Sequence, residues 1–166
     1  MDLHTWLILL HIVGTVLGVG GATFIEIFLI RSLMDGVMDS TERGFMGICY
    51  RVVRVGIVIN LFSGFAFFLF YNYYGQYGQL YNPVLWAKMA IFGMIAFNAL
   101  LLQAKVIPLW LGSALSFVSW YAVLFLGMTL QSLQTSFGGV ILVYAGMVFI
   151  GAGALTLIRR YFGVHI

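Results

Sequence analysis

Two nitrogen-bearing side chains stand out in long apolar runs that carry almost no others: His11 and Lys88. A neutral imidazole and a deprotonated lysine amine are both competent axial ligands for iron, histidine commonly and lysine rarely. His4 lies seven residues before His11, two helical turns away on nearly the same face, and is the further candidate ligand. His4 and His11 cannot clamp one haem between them, because the ring takes its ligands from opposite faces. A partner ligand must come from another helix. The remaining histidine, His165, falls at the opposite end of the membrane, which excludes a b-type cytochrome built from four histidines on two helix pairs. Gly14, Gly18 and Gly21 continue the face of His11. A smooth face of this kind admits another helix backbone, its commoner use, or a flat ring such as a porphyrin. Each nitrogen also has a plain structural reading. His11 would be a hydrogen-bonded packing histidine. Lys88 would run its stem along apolar surface and lift its amine to the nearby interface.

These residues must be held by membrane helices. Of 166 residues, 63% are hydrophobic and 8% charged, against roughly a quarter charged in a soluble domain. That balance excludes a soluble domain, a disordered chain and a nucleic-acid binder, whose phosphate contacts need many more cations. A span takes about 20 apolar residues, so the chain holds five spans and no soluble catalytic domain. The spans read as about 3–34, 45–71, 83–106, 109–130 and 138–158. Polar connectors, Asp35 to Gly44 and Gln131 to Ser136, separate them, and Pro83 and Pro108 mark helix boundaries. The single cysteine, Cys49, permits no internal disulfide. The first apolar run lacks a basic leader and is too long for a signal peptide, so it reads as a retained span.

Five spans place Arg31, Arg43, Arg51, Arg54, Lys105, Arg159 and Arg160 on one side, with Lys88 alone toward the other. The excess of basic residues predicts N-terminus out and C-terminus in. Trp6, Tyr71, Tyr73, Tyr74, Tyr77, Tyr81 and Trp86 form an aromatic belt at the outer rim. Counted from that rim, His11 is about eight residues deep and Lys88 about five. At 1.5 Å rise per residue they reach comparable depth, if the first and third spans are neighbours. Glu26 lies level with Arg51 and Arg54 and reads as a clamp between the first two spans, with a proton relay as the alternative. Asn60, Asn98, Gln103, Ser116 and Ser119 read as interhelical hydrogen-bonding groups. Nucleotide-binding, serine-hydrolase and zinc motifs are absent from the sequence.

The run LLHIVGTVLGVGGATFIEIFLIR (Leu9 to Arg31) resembles the first helix of a family of small membrane proteins. That family comprises HemJ-type protoporphyrinogen oxidases and the looser CopD-like copper-resistance group. The HemJ pattern, a Leu-His pair with glycines three and ten residues on, is matched by His11, Gly14 and Gly21. PVLWAKMAIFGMIAFNALL resembles the family's third helix, with Lys88 at its lysine. The resemblance implies haem binding by His11 and Lys88. The family's Asn-Glu-x-Pro element is missing from the fourth span.

The sequence thus predicts an all-α bundle of five transmembrane helices forming one domain in a cell (plasma) membrane. The expected function is haem b binding, through His11 and Lys88, with Gly14, Gly18 and Gly21 beside the ring and His4 as a further iron ligand. The substrate would be porphyrin-like or quinone-like. The alternatives are a cofactor-free accessory or scaffold subunit and a small-solute or copper transporter. The expected partners are the lipid bilayer, a second copy of the chain or a larger membrane complex.

Overall fold

The computed structural model describes residues 2–34, 39–129 and 135–161. His165 and parts of both predicted polar connectors lie outside the described residues. Within them the chain is all-helical: α1 (Leu3–Met34), α2 (Ser40–Tyr73), the single turn α3 (Tyr77–Leu80), α4 (Pro83–Gln103), α5 (Leu109–Thr129) and α6 (Phe137–Tyr161). All but α3 are long and apolar enough to cross a membrane. They match the five predicted spans, and two of the moved boundaries have identifiable reasons.

The second span starts at Ser40 rather than near Phe45 because Asp39 caps it. Asp39 accepts from the Glu42 N–H at 2.7 Å, and Glu42 accepts from the Asp39 N–H at 3.2 Å. This reciprocal capping box satisfies two otherwise orphaned donors. Asp39→Ala is expected to lower stability by about 1 kcal/mol, read as a shift of the unfolding midpoint in mixed micelles. The third span ends at Gln103 rather than Val106. Lys105 turns left-handed there (φ 56°), while the Val106 N–H reaches Leu101 O at 3.0 Å and the Lys105 N–H reaches Leu102 O at 3.1 Å. Those paired bonds are a Schellman stop, usually built on glycine. The last helix runs on to Tyr161. At the amino terminus, Asp2 accepts from the Thr5 hydroxyl and, at 3.0 Å, from the Thr5 N–H. The hydroxyl bond is the main reason its carboxyl titrates below the ordinary value.

Two helix pairs, α1 with α2 and α4 with α5, form the bundle, and α5 joins them by also packing on α1. α6 packs on α5 and α4. α1 and α2 meet through glycines. A Cβ on Gly56 would stand 2.8 Å from both Gly14 O and Gly18 N, so the two backbones touch. The wholly buried Trp120 brings α5 against α1 at Gly18. Hydrogen bonds tie three of the contacts. Thr15 donates to Asn60 Oδ1 (3.1 Å), Asn98 to Gly112 O (2.8 Å) and Tyr144 to Ser119 Oγ (2.7 Å). The last direction follows because Ser119 spends its own hydrogen on Leu115 O. Three of the predicted polar groups, Asn60, Asn98 and Ser119, thus bridge helices.

The outer surface is apolar. On α6, Phe149 is 80% exposed and Leu142 77%. A patch of that kind is untenable in water and ordinary against lipid. Trp6, Tyr73, Tyr81 and Trp86 are exposed where the aromatic belt was expected, and the Trp86 indole donates to Leu80 O at 2.8 Å, closing the α3 turn onto α4.

Candidate functional site

His11 and Lys88 meet. The Lys88 Nζ lies 3.3 Å from His11 Nε2, although α1 packs chiefly on α2 and α5. The four-carbon stem of Lys88 supplies the reach from α4. Its amine rests against α5 at Gly127, where a Cβ would come within 3.2 Å of Nζ.

The other ring nitrogen fixes the tautomer. His11 Nδ1 is 2.8 Å from Ser63 Oγ. Ser63 has one hydrogen and directs it at Ile59 O, 2.8 Å away on its own helix. With that hydrogen on Ile59 O, the Ser63 oxygen would accept from Nδ1–H. The lone pair of Nε2 then faces Lys88, which donates to it. The result is a directed chain, Lys88 to His11 to Ser63 to Ile59 O, linking α4, α1 and α2. Ser63 is completely buried. Ser63→Ala removes the acceptor behind His11 and is expected to cost about 0.6–1.7 kcal/mol, the range for hydrogen bonds between membrane helices. Ser63→Thr should restore it in the same unfolding assay.

Sequence reading missed Ser63. Gly56, Asn60 and Ser63 recur at four- and three-residue steps, one small and polar stripe on α2. That spacing was the available signal.

The remaining candidate residues sit elsewhere. His4 lies among aromatic rings, with centroids 5.2 Å from Phe70 and 5.9 Å from Phe67. Phe67 also meets the His11 ring edge-on at 5.7 Å, so a phenyl ring touches both histidines. The glycine face is covered by the chain itself. A Cβ at Gly14 would meet Asn60 and Ile59, one at Gly18 the Trp120 ring, and one at Gly21 Val53, each within 2.8 Å. The flat ring that Gly18 admits is this indole. Glu26 is buried, whereas Arg51 and Arg54 are exposed. Glu26 bears electrostatically on Tyr50 of α2. Among the described residues no group of three or more His, Cys, Asp or Glu side chains could hold a metal ion.

The nitrogen pair matches iron donors in kind, but the two nitrogens are in contact with each other. A ligating imidazole characteristically gives its other N–H to a fixed acceptor, as His11 does to Ser63. Two nitrogens on opposite sides of one metal would stand about 4 Å apart, at about 2.0–2.1 Å per bond. The 3.3 Å separation here would have to widen by less than an ångström. The covered glycines, by contrast, offer no slot for the macrocycle.

No family model matches the chain, and no curated protein or solved structure matches it.

Proposed function

We propose that this chain is a multi-pass cell-membrane protein, N-terminus out and C-terminus in, that binds haem b through His11, with Lys88 as the second nitrogen ligand, the two nitrogens parting from their present contact to admit the ring. The observation that carries the reading is the contact itself: His11 lies 2.8 Å from Ser63 Oγ through Nδ1 and 3.3 Å from Lys88 Nζ through Nε2. Haem would supply one-electron transfer toward a porphyrin-like or quinone-like substrate. The chain's own part is to hold the imidazole in one tautomer and orientation through Ser63, and to keep water from the pair with Phe67 and the α5 backbone. Titrating haemin into the protein in lipid nanodiscs tests this. A Soret change saturating at one haem per chain supports it; an unsaturable, lipid-like partition contradicts it.

The direct Lys88 to His11 contact supports a second reading, a cofactor-free relay that moves a proton between α4 and α2. A membrane-buried ionisable pair is a natural place for such a step. Under this reading haemin partitions as it does into empty discs.

A further inference from the structure

A cleft of about 170 Å³ runs between the α1–α2 pair and the α4–α5 pair, in the half of the bundle that carries the arginines of α2. Helix packing shows where it opens. α2 packs on α1, α1 on α5 and α5 on α4, whereas α2 and α4 share at most marginal contact. The cleft is thus closed behind and open between α2 and α4. Each of those two helices sets an exposed polar side chain on it, Arg54 from α2 and Gln103 from α4. The last helix lies against α4 and α5 and gives the cleft no described residue.

The lining sorts by charge. Arg54 is a permanent cation, and no carboxylate lines the cleft. Glu26 is buried on α1 and is not among the lining side chains. Gln103, Ser116 on α5 and the Tyr50 hydroxyl add neutral donors. Tyr50 precedes Arg54 by one turn on the same face of α2, and its hydroxyl makes no hydrogen bond within the protein. Asn98 Oδ1 is also unpaired; it is an acceptor, and water entering by the open side serves it. A guanidinium with neutral donors around it and no acid beside it recognises an anion, and phosphate oxygens suit its fork of N–H groups.

Depth says where that anion comes from. Arg54 precedes Tyr71 of the aromatic belt by 17 residues, about 26 Å of helix. The hydrocarbon core is about 30 Å thick, so the guanidinium stands near its far edge, within reach of the lipid phosphates there. Lys105, exposed two residues after Gln103, adds a cation on that side. Basic pockets between membrane helices at this level suit anionic head groups.

We propose that the α2–α4 cleft binds the phosphate of an anionic phospholipid from the leaflet on the arginine-rich side, with Arg54 and Gln103 at the mouth and the Tyr50 hydroxyl within. The acyl chains stay in the bilayer alongside the two helices. The site does not depend on haem: Ala22, on the α1 wall of the cleft, lies eleven residues beyond His11, about 16 Å of helix.

The test uses the full chain in an uncharged detergent, freed of lipid, with bound lipid counted by native mass spectrometry. The probes are phosphatidylglycerol, phosphatidylcholine with the same acyl chains, and glycerol 3-phosphate. One phosphatidylglycerol per chain is expected, held about fivefold or more tighter than phosphatidylcholine. Arg54→Gln should lose that preference and Arg51→Gln keep it. Arg51 is exposed on the same helix but does not line the cleft, so the two variants lose the same charge. No preference for phosphatidylglycerol overturns the proposal, as does an equal loss in the two variants. Glycerol 3-phosphate has the phosphate without the tails, and effective competition by it would overturn the assignment to a lipid. If Arg54→Gln does not fold, Tyr50→Phe takes its place: it should weaken phosphatidylglycerol binding by about fivefold or more and leave phosphatidylcholine unchanged, and no change overturns the proposal. Haem content does not enter this readout, so either proposal can fail alone.

Discussion

On the proposed haem reading, His11→Ala is expected to remove the haem signal from the purified protein. The groups behind a metal ligand are worth 10–100-fold in affinity, so loss of the ligand itself should weaken retention by more than about 100-fold on the same scale. Lys88→Ala behaves differently, because His11 and Ser63 still hold the imidazole in place. The band should persist but shift to that of a five-coordinate iron. Free imidazole added to His11→Ala should restore the band by entering the space the side chain vacates. A merely structural role for His11 would not be rescued in this way. The readout is the visible spectrum, with protein recovery as the control for folding. An unchanged spectrum in His11→Ala would move the ligand to another residue.

Gly56→Ala separates α1 from α2. The new Cβ would stand 2.8 Å from Gly14 O and Gly18 N. These are backbone atoms that cannot swing aside, so one helix must move. Overpacking of this kind costs about 1–3 kcal/mol. The effect should spread to the site, since Ser63 lies two turns along α2 from Gly56 and is held opposite His11 by the same contact. Gly64→Ala is the matched control on α2. Nothing lies within 4 Å of its Cβ position, and replacing a helical glycine gains up to about 1 kcal/mol. The unfolding midpoint in mixed micelles should therefore fall for Gly56→Ala and hold or rise for Gly64→Ala. Equal midpoints would contradict the close α1–α2 contact.

The spans were legible because apolar runs of this length have few other uses. Their ends were less so. The Asp39 cap was present in the letters Asp-Ser-Thr-Glu, but the left-handed Lys105 carries no glycine to announce it. His11 and Lys88 were visible as rare nitrogens in apolar runs, and simple counting of helical rise put them at one depth. How they meet was not legible. The depth match was conditional on the first and third spans being neighbours, whereas α1 pairs chiefly with α2 and α5, and Lys88 bridges the remaining distance. Ser63 was hidden for a physical reason. Serine in a membrane helix commonly bonds its own i−4 carbonyl, as this one does, so residue type alone does not reveal that the oxygen also accepts from His11. The occupant of the glycine face was hidden as well. Nothing local to Gly18 says that a tryptophan 102 positions later fills it.

Whether the His11–Lys88 pair is a ligand set is tested most directly by electron paramagnetic resonance of the ferric protein purified from cells supplied with haem precursor. A low-spin signal from iron with two nitrogen axial ligands, lost in His11→Ala, is the predicted result. Protein that folds and purifies normally yet shows no haem signal would contradict the account and leave the half-buried pair as a cofactor-free relay.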